Sequence, residues 1–276
     1  MNGFLFIDKE KGATSFDVVR NVRRITGERR VGHAGTLDPL ATGLLIVGIG
    51  EGTKLLEFFV GNDKEYEVLA HFGYKSDTYD ADGKIKEVDT EAVFKKDDIE
   101  RIIEKSFLGE ISQMPPKFSA LKIEGRRAYD MARKGEDVKL KPRKIKIYDF
   151  KIIDFAWPKV SFRVKCGSGT YIRSLVNDLG ENLGCGAYVE GLRRTKVGDF
   201  SVENADLSKL IPLETVVGKF DHMELDDEGF GGLKDGRILK NKKVEQGRAV
   251  MAFYKGKLVG VLEGSGCGIK YKKQIL

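Results

Sequence analysis

The sequence predicts an α+β fold: a mixed, largely antiparallel sheet flanked by helices, with a small β-barrel at the C-terminus. Two observations point there. Strand-like runs come as hairpin-type pairs, as at 144–166, and helical patterns stand apart from them instead of alternating strictly with single strands. Past residue 230 the chain changes to short apolar runs in a basic background. No G-x-G-x-x-G follows a strand and no Walker-type loop occurs, which speaks against nucleotide-cofactor chemistry.

Taken in order, residues 4–8 are an apolar run expected to be a strand. Ser15 is placed to cap a helix whose Phe16, Val18, Val19, Val22 and Ile25 keep helical spacing until Gly27. Residues 31–43 carry Gly32, Gly35, Pro39 and Gly43 and predict an ordered loop. A short buried strand is expected at 44–47, a helix capped by Thr53 at 54–60, and an alternating strand at 66–72. A turn at 81–83 returns the chain to 85–88. Asp97 and Asp98 open a helix with Ile99, Ile102, Ile103 and Phe107 on one face, and Pro115-Pro116 ends regular structure.

A short helical piece follows at 126–133, stopped by Gly135. Residues 144–166 read as two strands turning at Ala156-Trp157-Pro158. Thr170 is placed to cap a helix to Leu183, with Ile172, Leu175, Val176 and Leu179 at helical spacing. Strands are expected at 188–194, 197–200, 249–254 and 258–262. The expected organisation is one large domain over 1–220, a linker over 221–231 and a separable small barrel over 232–276.

The chain has 276 residues, 41% hydrophobic and 33% charged, which suits a packed core and excludes a mainly disordered chain. It lacks a run of about 18 apolar residues that would span a membrane, and its opening has no signal-peptide layout. Three cysteines without C-x-x-C spacing fit a reducing cytoplasm, and three scattered histidines suggest no metal site. The net charge of +6 is unevenly spread. Residues 117–151 carry 12 Lys and Arg against 5 Asp and Glu, and 234–276 carry 11 against 3. The rest is acidic, so positive potential is localised in two tracts, as a polyanion-binding surface requires.

Three segments stand out chemically. Gly32-His-Ala-Gly-Thr-Leu-Asp-Pro-Leu-Ala-Thr-Gly43 sets one carboxylate, Asp38, in a tightly folded loop that lets another molecule approach the backbone. Taken alone, its Asp-Pro is more often a turn than a site. Gly169-Thr-Tyr-Ile-Arg-Ser-Leu175 sets Arg173 in the first turn of a helix, where the dipole disfavours a cation unless an acid lies nearby. Asp38 is one candidate for that acid, Asp178 and Glu181 are others. Met114-Pro-Pro-Lys-Phe-Ser-Ala-Leu-Lys122 with Gly125-Arg-Arg-Ala-Tyr129 interleaves cations and aromatics, as phosphates and unstacked bases favour.

Together with Leu192-Arg-Arg-Thr195, Gly198 and Phe200, these motifs follow one another in the order of the TruB-type tRNA pseudouridine synthases, which the chain resembles from about residue 3 to 215. The basic tail resembles a PUA domain, and 77–83 resembles the family's acidic hairpin. Departures are Glu10 in place of a common proline, Phe118 for a tyrosine and Ser168 for a lysine.

The resemblance implies the pseudouridine-synthase fold and isomerisation of a uridine in the T-loop of tRNA, conventionally position 55. The reaction is cofactor-free and metal-free, and it needs no protein partner. It assigns Asp38 as the catalytic carboxylate, acting on the ribose or base or as a proton acceptor. Arg173 is its bidentate ion-pair partner. Tyr66 stacks on the flipped base and assists proton removal. Leu192 and Tyr171 line the pocket, and His33 fills the vacated stack. Lys9, Lys122 and Arg126 complete the expected RNA contacts. A thumb over about 117–140 would close on the T-stem-loop, and the barrel would grip the acceptor stem. Competing readings are a non-catalytic RNA-binding scaffold, a guide-RNA-dependent synthase and, more distantly, a glycoside hydrolase.

Overall fold

The structure is a computed structural model. It describes every residue except 90, 120, 124, 137–139, 240–243, 247 and 276, and the side chains of 122, 123 and 127 are not described either. The chain opens with β1 (Gly3–Lys9), α1 (Ser15–Thr26), β2 (Val31–Ala34) and β3 (Thr42–Ile49). Thr14, one residue before the expected cap, starts α1: it accepts from Asp17 N–H while Asp17 accepts from the Thr14 backbone. The loop expected over 31–43 is shorter, because 31–34 pair antiparallel with β3.

A 3₁₀ turn (Gly50–Leu55) and a short α2 (Glu57–Val60) replace the single helix expected there. They lead into β4 (Lys64–Phe72), β5 (Tyr74–Ser76) and β6 (Ile85–Glu87). Next come α3 (Lys96–Ser106), β7 (Gly109–Gln113), the two-residue β8 (Lys122–Ile123) and β9 (Arg126–Arg127), and α4 (Ala128–Arg133). The latter three lie within the expected thumb.

The hairpin β10 (Arg143–Ala156) and β11 (Lys159–Cys166) precedes α5 (Ile172–Leu183), β12 (Ala187–Val197), β13 (Phe200–Ser201), a 3₁₀ turn (Val202–Asn204) and α6 (Leu213–Val217). The cap of α5 is Tyr171 and not Thr170, whose hydroxyl donates instead to the Gly167 carbonyl. Residues 188–197, expected to break into two strands, run through as β12.

The main sheet has nine described strands in the order β1-β3-β12-β4-β11-β10-β7, with β2 on β3 and β13 on β12. Pairing is antiparallel except where Arg193 and Arg194 of β12 lie parallel to Thr42 and Gly43 of β3. The strict period of two in β4 buries Lys64, Tyr66, Val68, Ala70 and Phe72 on one face. There Ile99 and Ile103 of α3 and Leu175, Val176 and Leu179 of α5 close the largest apolar cluster. At the other end, Val19 and Val22 of α1 cover Leu5, Ile7, Leu45 and Val47.

The C-terminal segment holds β14 (His222–Leu225), α7 (Asp227–Lys234), β15 (Ala249–Tyr254), β16 (Lys257–Ser265) and β17 (Gly268–Gln274). Its sheet runs in the order β14-β15-β16-β17. Residues 221–231, expected to be a linker, are therefore an edge strand paired with β15 and the start of a helix capped by Asp226. The apolar positions of β14 and α7 supply the reason: Leu225 and Leu233 are buried against Ala252, Leu262 and Ile269. The two parts also share a core, since Met251, Phe253, Leu258, Val261 and Ile275 join Phe4, Phe6, Leu55 and Phe59 in one cluster.

Candidate active site

The loop between β2 and β3 carries Asp38 and is held from below at three points. Leu37 N–H donates to Ser15 Oγ (2.9 Å), and Ser15 Oγ donates back to the Leu37 carbonyl (3.2 Å), a closed clamp formed by a buried side chain. Gly12 N–H donates to the Pro39 carbonyl (2.8 Å). Lys9 Nζ donates to the carbonyls of Ala13 (2.6 Å), Glu10 (3.0 Å) and Pro39 (3.4 Å). Lys9 is buried, and burial pushes its ammonium pKa down. Its expected RNA contact is thus corrected: its three donors are spent on backbone inside the protein, two on the connection between β1 and α1 and one on Pro39, which ties that connection to the loop. Gly43 ends the loop at φ +100°, and a Cβ there would meet the Arg194 carbonyl at 2.3 Å, so glycine is what lets β12 lie beside β3.

Arg173, in the first turn of α5, is buried and uses each nitrogen differently. Nε meets Asp38 Oδ2 at 2.9 Å, and Nη1 meets Asp80 Oδ2 at 3.3 Å and donates to the Thr78 carbonyl (2.9 Å). Nη2 donates to the Phe118 carbonyl (2.8 Å) at the base of the thumb. The expected ion pair is present, but it is not bidentate: Asp38 receives Nε, while the terminal nitrogens are committed elsewhere. Asp38 remains partly exposed, so the carboxylate faces the opening and its guanidinium lies behind it.

In the sequence Asp80 is one carboxylate among several of the acidic hairpin at 77–83, with nothing to single it out. It is buried, accepts from Thr78 Oγ1 (2.5 Å) and Asp82 N–H (3.1 Å), and has its pKa raised by burial, against the pull of Thr78 and Arg173. Gln113 is likewise unmarked in the sequence. Its amide donates to the Tyr171 carbonyl (3.0 Å) and accepts from Tyr171 N–H (2.9 Å), fixing the chain just before α5. Ser174 Oγ donates to the Met114 carbonyl (2.8 Å). Only burial separates such residues from surface polars, and the sequence does not display it.

Asp38 and Arg173 share a cavity of about 310 Å³ with Tyr66, Tyr171, Leu192, Lys64 and Arg194. Tyr66 is buried, and that burial raises the phenol's pKa, so its resting form is the neutral phenol. The Arg143 guanidinium lies 5.6 Å from the Tyr171 ring centroid. Five of the expected residues, Asp38, Tyr66, Tyr171, Arg173 and Leu192, thus converge on one opening.

His33 does not line it. It sits on β2 opposite Val47, with its pKa lowered by burial first and then by Arg194, and its Nδ1 is buried without a partner among the described residues. Arg126 is exposed and paired with Glu136 (2.5 Å) on the thumb. Lys122 pairs with Arg127 through its backbone, and its side chain lies outside the described residues. Among the described residues, no cluster of three His, Cys, Asp or Glu could hold a metal ion, and no helix is long and apolar enough to cross a membrane.

Residues 23–172 match the TruB family pseudouridylate synthase N-terminal domain and residues 173–228 the tRNA pseudouridylate synthase B C-terminal domain. The chain is 38% identical to tRNA pseudouridine synthase B of Clostridium tetani, with all of both chains covered. It is also 38% identical to the protein of that name from Aquifex aeolicus, again over all of both chains. With the Clostridium acetobutylicum protein it shares 48% identity over 78% of this chain and 72% of the relative. A crystal structure of a Cbf5-Nop10-Gar1 complex superposes with a TM-score of 0.76 at 23% identity, covering 99% of this chain and 85% of that one, which establishes the shared fold. By motif order, fold and full-length likeness, the chain belongs to the TruB family of pseudouridylate synthases.

Proposed function

We propose that this chain converts uridine to pseudouridine in tRNA, at the T-loop position conventionally numbered 55. The carrying observation is a half-exposed carboxylate, Asp38, held 2.9 Å from a buried guanidinium at the mouth of a cavity walled by Tyr66 and Leu192. A base inside a folded loop must leave its stack to enter such a cavity. Once there, it lies between an aromatic ring and an aliphatic side chain, with the sugar toward Asp38. Asp38 then either bonds to the anomeric carbon or takes the sugar C2′ proton as the glycosidic bond opens; both roles need an ionised carboxylate. The base turns over and rejoins through C5.

The basic thumb and the basic C-terminal sheet would carry the phosphates of the T-stem-loop and the acceptor stem, without a protein partner. The tRNA-directed reading is favoured over guide-RNA dependence because relatives alike over the whole chain bear the tRNA name. The test is tritium release from tRNA transcript labelled at uridine C5. Wild type alone should release it, whereas Asp38→Asn should fold, bind tRNA within a few-fold and release none. Turnover retained in Asp38→Asn would refute the assignment, and activity only with added guide RNA and proteins would favour the rival.

A further inference from the structure

Two cations in the cavity, Lys64 and Arg194, have no role in the steps above. Lys64 opens β4 and sits opposite Val197 of β12 and Cys166 of β11, while Arg194 of β12 sits opposite Tyr66. Both are buried and both line the cavity. Lys64 Nζ donates to the carbonyls of Val60 and Asn62, which accounts for two of its three N–H bonds. Arg194 donates through Nε to the Leu44 carbonyl (2.8 Å) and through Nη2 to the Gly35 carbonyl (3.0 Å).

Among the described residues neither cation forms a salt bridge. The charged or titratable groups acting on Lys64 are Arg194, Cys166 and Asp63. Cys166 stays a neutral thiol because burial pushes it up to about 11, and the Asp63 carboxylate accepts from Tyr148 Oη (3.0 Å). Burial, reinforced by Arg194, holds the Lys64 ammonium down to about 8. Such a cation is costly unless a negative charge arrives beside it.

The reaction supplies one. When the C1′–N1 bond breaks, its electron pair stays on the uracil ring. Asp38 is neutralised at that moment, either by bonding to C1′ or by accepting the C2′ proton. The negative charge that began on Asp38 beside Arg173 therefore moves onto the detached base. It returns to Asp38 when C5 closes on C1′ and the C5 proton is exchanged for one on N1.

We propose that Lys64, backed by Arg194, is the cationic floor of the cavity that holds the detached uracil as an anion between bond cleavage and rejoining. The proposal rests on the reading of this cavity as the uridine site. Its interaction is strong only while the base carries charge, so it lowers the barrier without tightening substrate binding.

The test is single-turnover kinetics of wild type, Lys64→Met and Lys64→Arg on the same tRNA transcript. Lys64→Met should keep tRNA affinity within about threefold while the rate at saturating enzyme falls about 100-fold or more, on the scale of a lost charge-stabilising donor. Lys64→Arg should recover most of it. In wild type, kcat/KM should fall as pH rises through about 8, where the free enzyme's ammonium loses its proton. In Lys64→Arg that fall should disappear below pH 10. An unchanged saturating rate in Lys64→Met, with only a lower melting temperature, would reduce Lys64 to a cap on α2 and overturn the proposal. So would an alkaline limb identical in wild type and Lys64→Arg, which decides the matter even if Lys64→Met fails to fold. Failure of wild type to form pseudouridine would sink the uridine reading itself, and it is told apart because it precedes any substitution.

Discussion

Arg173 concentrates the chemistry of the site in one side chain. Its guanidinium joins the loop bearing Asp38, the hairpin bearing Asp80 and the thumb base at Phe118. A lysine carries the charge but has neither the planar fork nor the reach to serve three directions. Arg173→Lys should therefore lower the single-turnover rate about 100-fold or more while tRNA affinity changes by less than tenfold. The buried Asp80, left with a weaker partner, should also lower stability by about 1–3 kcal/mol. Quench-flow with denaturant melts checks both, and an unchanged rate would discard the ion pair as a catalytic element. The Asp38–Arg173 pair was legible because its motifs are distinctive, whereas Asp80 was not, since a carboxylate in a hairpin rich in Asp and Gly looks solvated until its burial is known.

At the scale of elements, α5 is positioned by a glycine. Gly180 lies where a Cβ would sit 2.2 Å from the Ala187 backbone nitrogen, so the helix that carries Arg173 can approach β12 only without a side chain there. Alanine in a helix interior is ordinarily better than glycine by about 1 kcal/mol. Here Gly180→Ala should reverse that sign and destabilise by about 1–3 kcal/mol through forced displacement of packed backbone. Urea midpoints would show it, and a gain in stability would contradict the close approach. The helix itself was readable from Ile172, Leu175, Val176 and Leu179, but its contact with β12 was not. The cap of α1 teaches a different lesson. Thr14 and Asp17 stand in capping-box spacing, so the sequence held the signal that Thr14, and not Ser15, begins the helix. Ser15 is thereby free to clamp the loop that carries Asp38.

At the scale of the whole molecule, the C-terminal sheet is built into the rest. Its apolar residues share a cluster with Phe4, Phe6 and Phe59, Lys54 Nζ donates to the Gln274 carbonyl (2.8 Å), and Lys273 pairs with Glu57 (2.9 Å). Glu57 and Phe59 belong to α2, whose last residue, Val60, lines the cavity. Removal of 222–276 should therefore uncover apolar surface, lower the melting temperature by several degrees and depress turnover even on an isolated T-stem-loop. A truncated chain that melts like wild type and modifies the stem-loop at full rate would restore the separable-module expectation.

What the sequence determined by itself was local or motif-borne. Period-two and helical patterns placed most elements of the main sheet and its helices, the glycine-punctuated motifs pointed to Asp38 and Arg173, and the family resemblance those motifs carry implied Tyr66 and Leu192. The tertiary structure decided what depends on burial and on contacts between distant segments. Lys9 became a buried brace for a loop thirty residues away, and Asp80 and Gln113 became supports of the site. Lys64 and Arg194 became buried cations in the cavity, without a salt bridge among the described residues, and the supposed linker became an edge strand and helix. A carboxylate or ammonium reads the same in the sequence whether solvated or buried; its energy, and with it its role, is set by which neighbours the fold brings within a few ångströms.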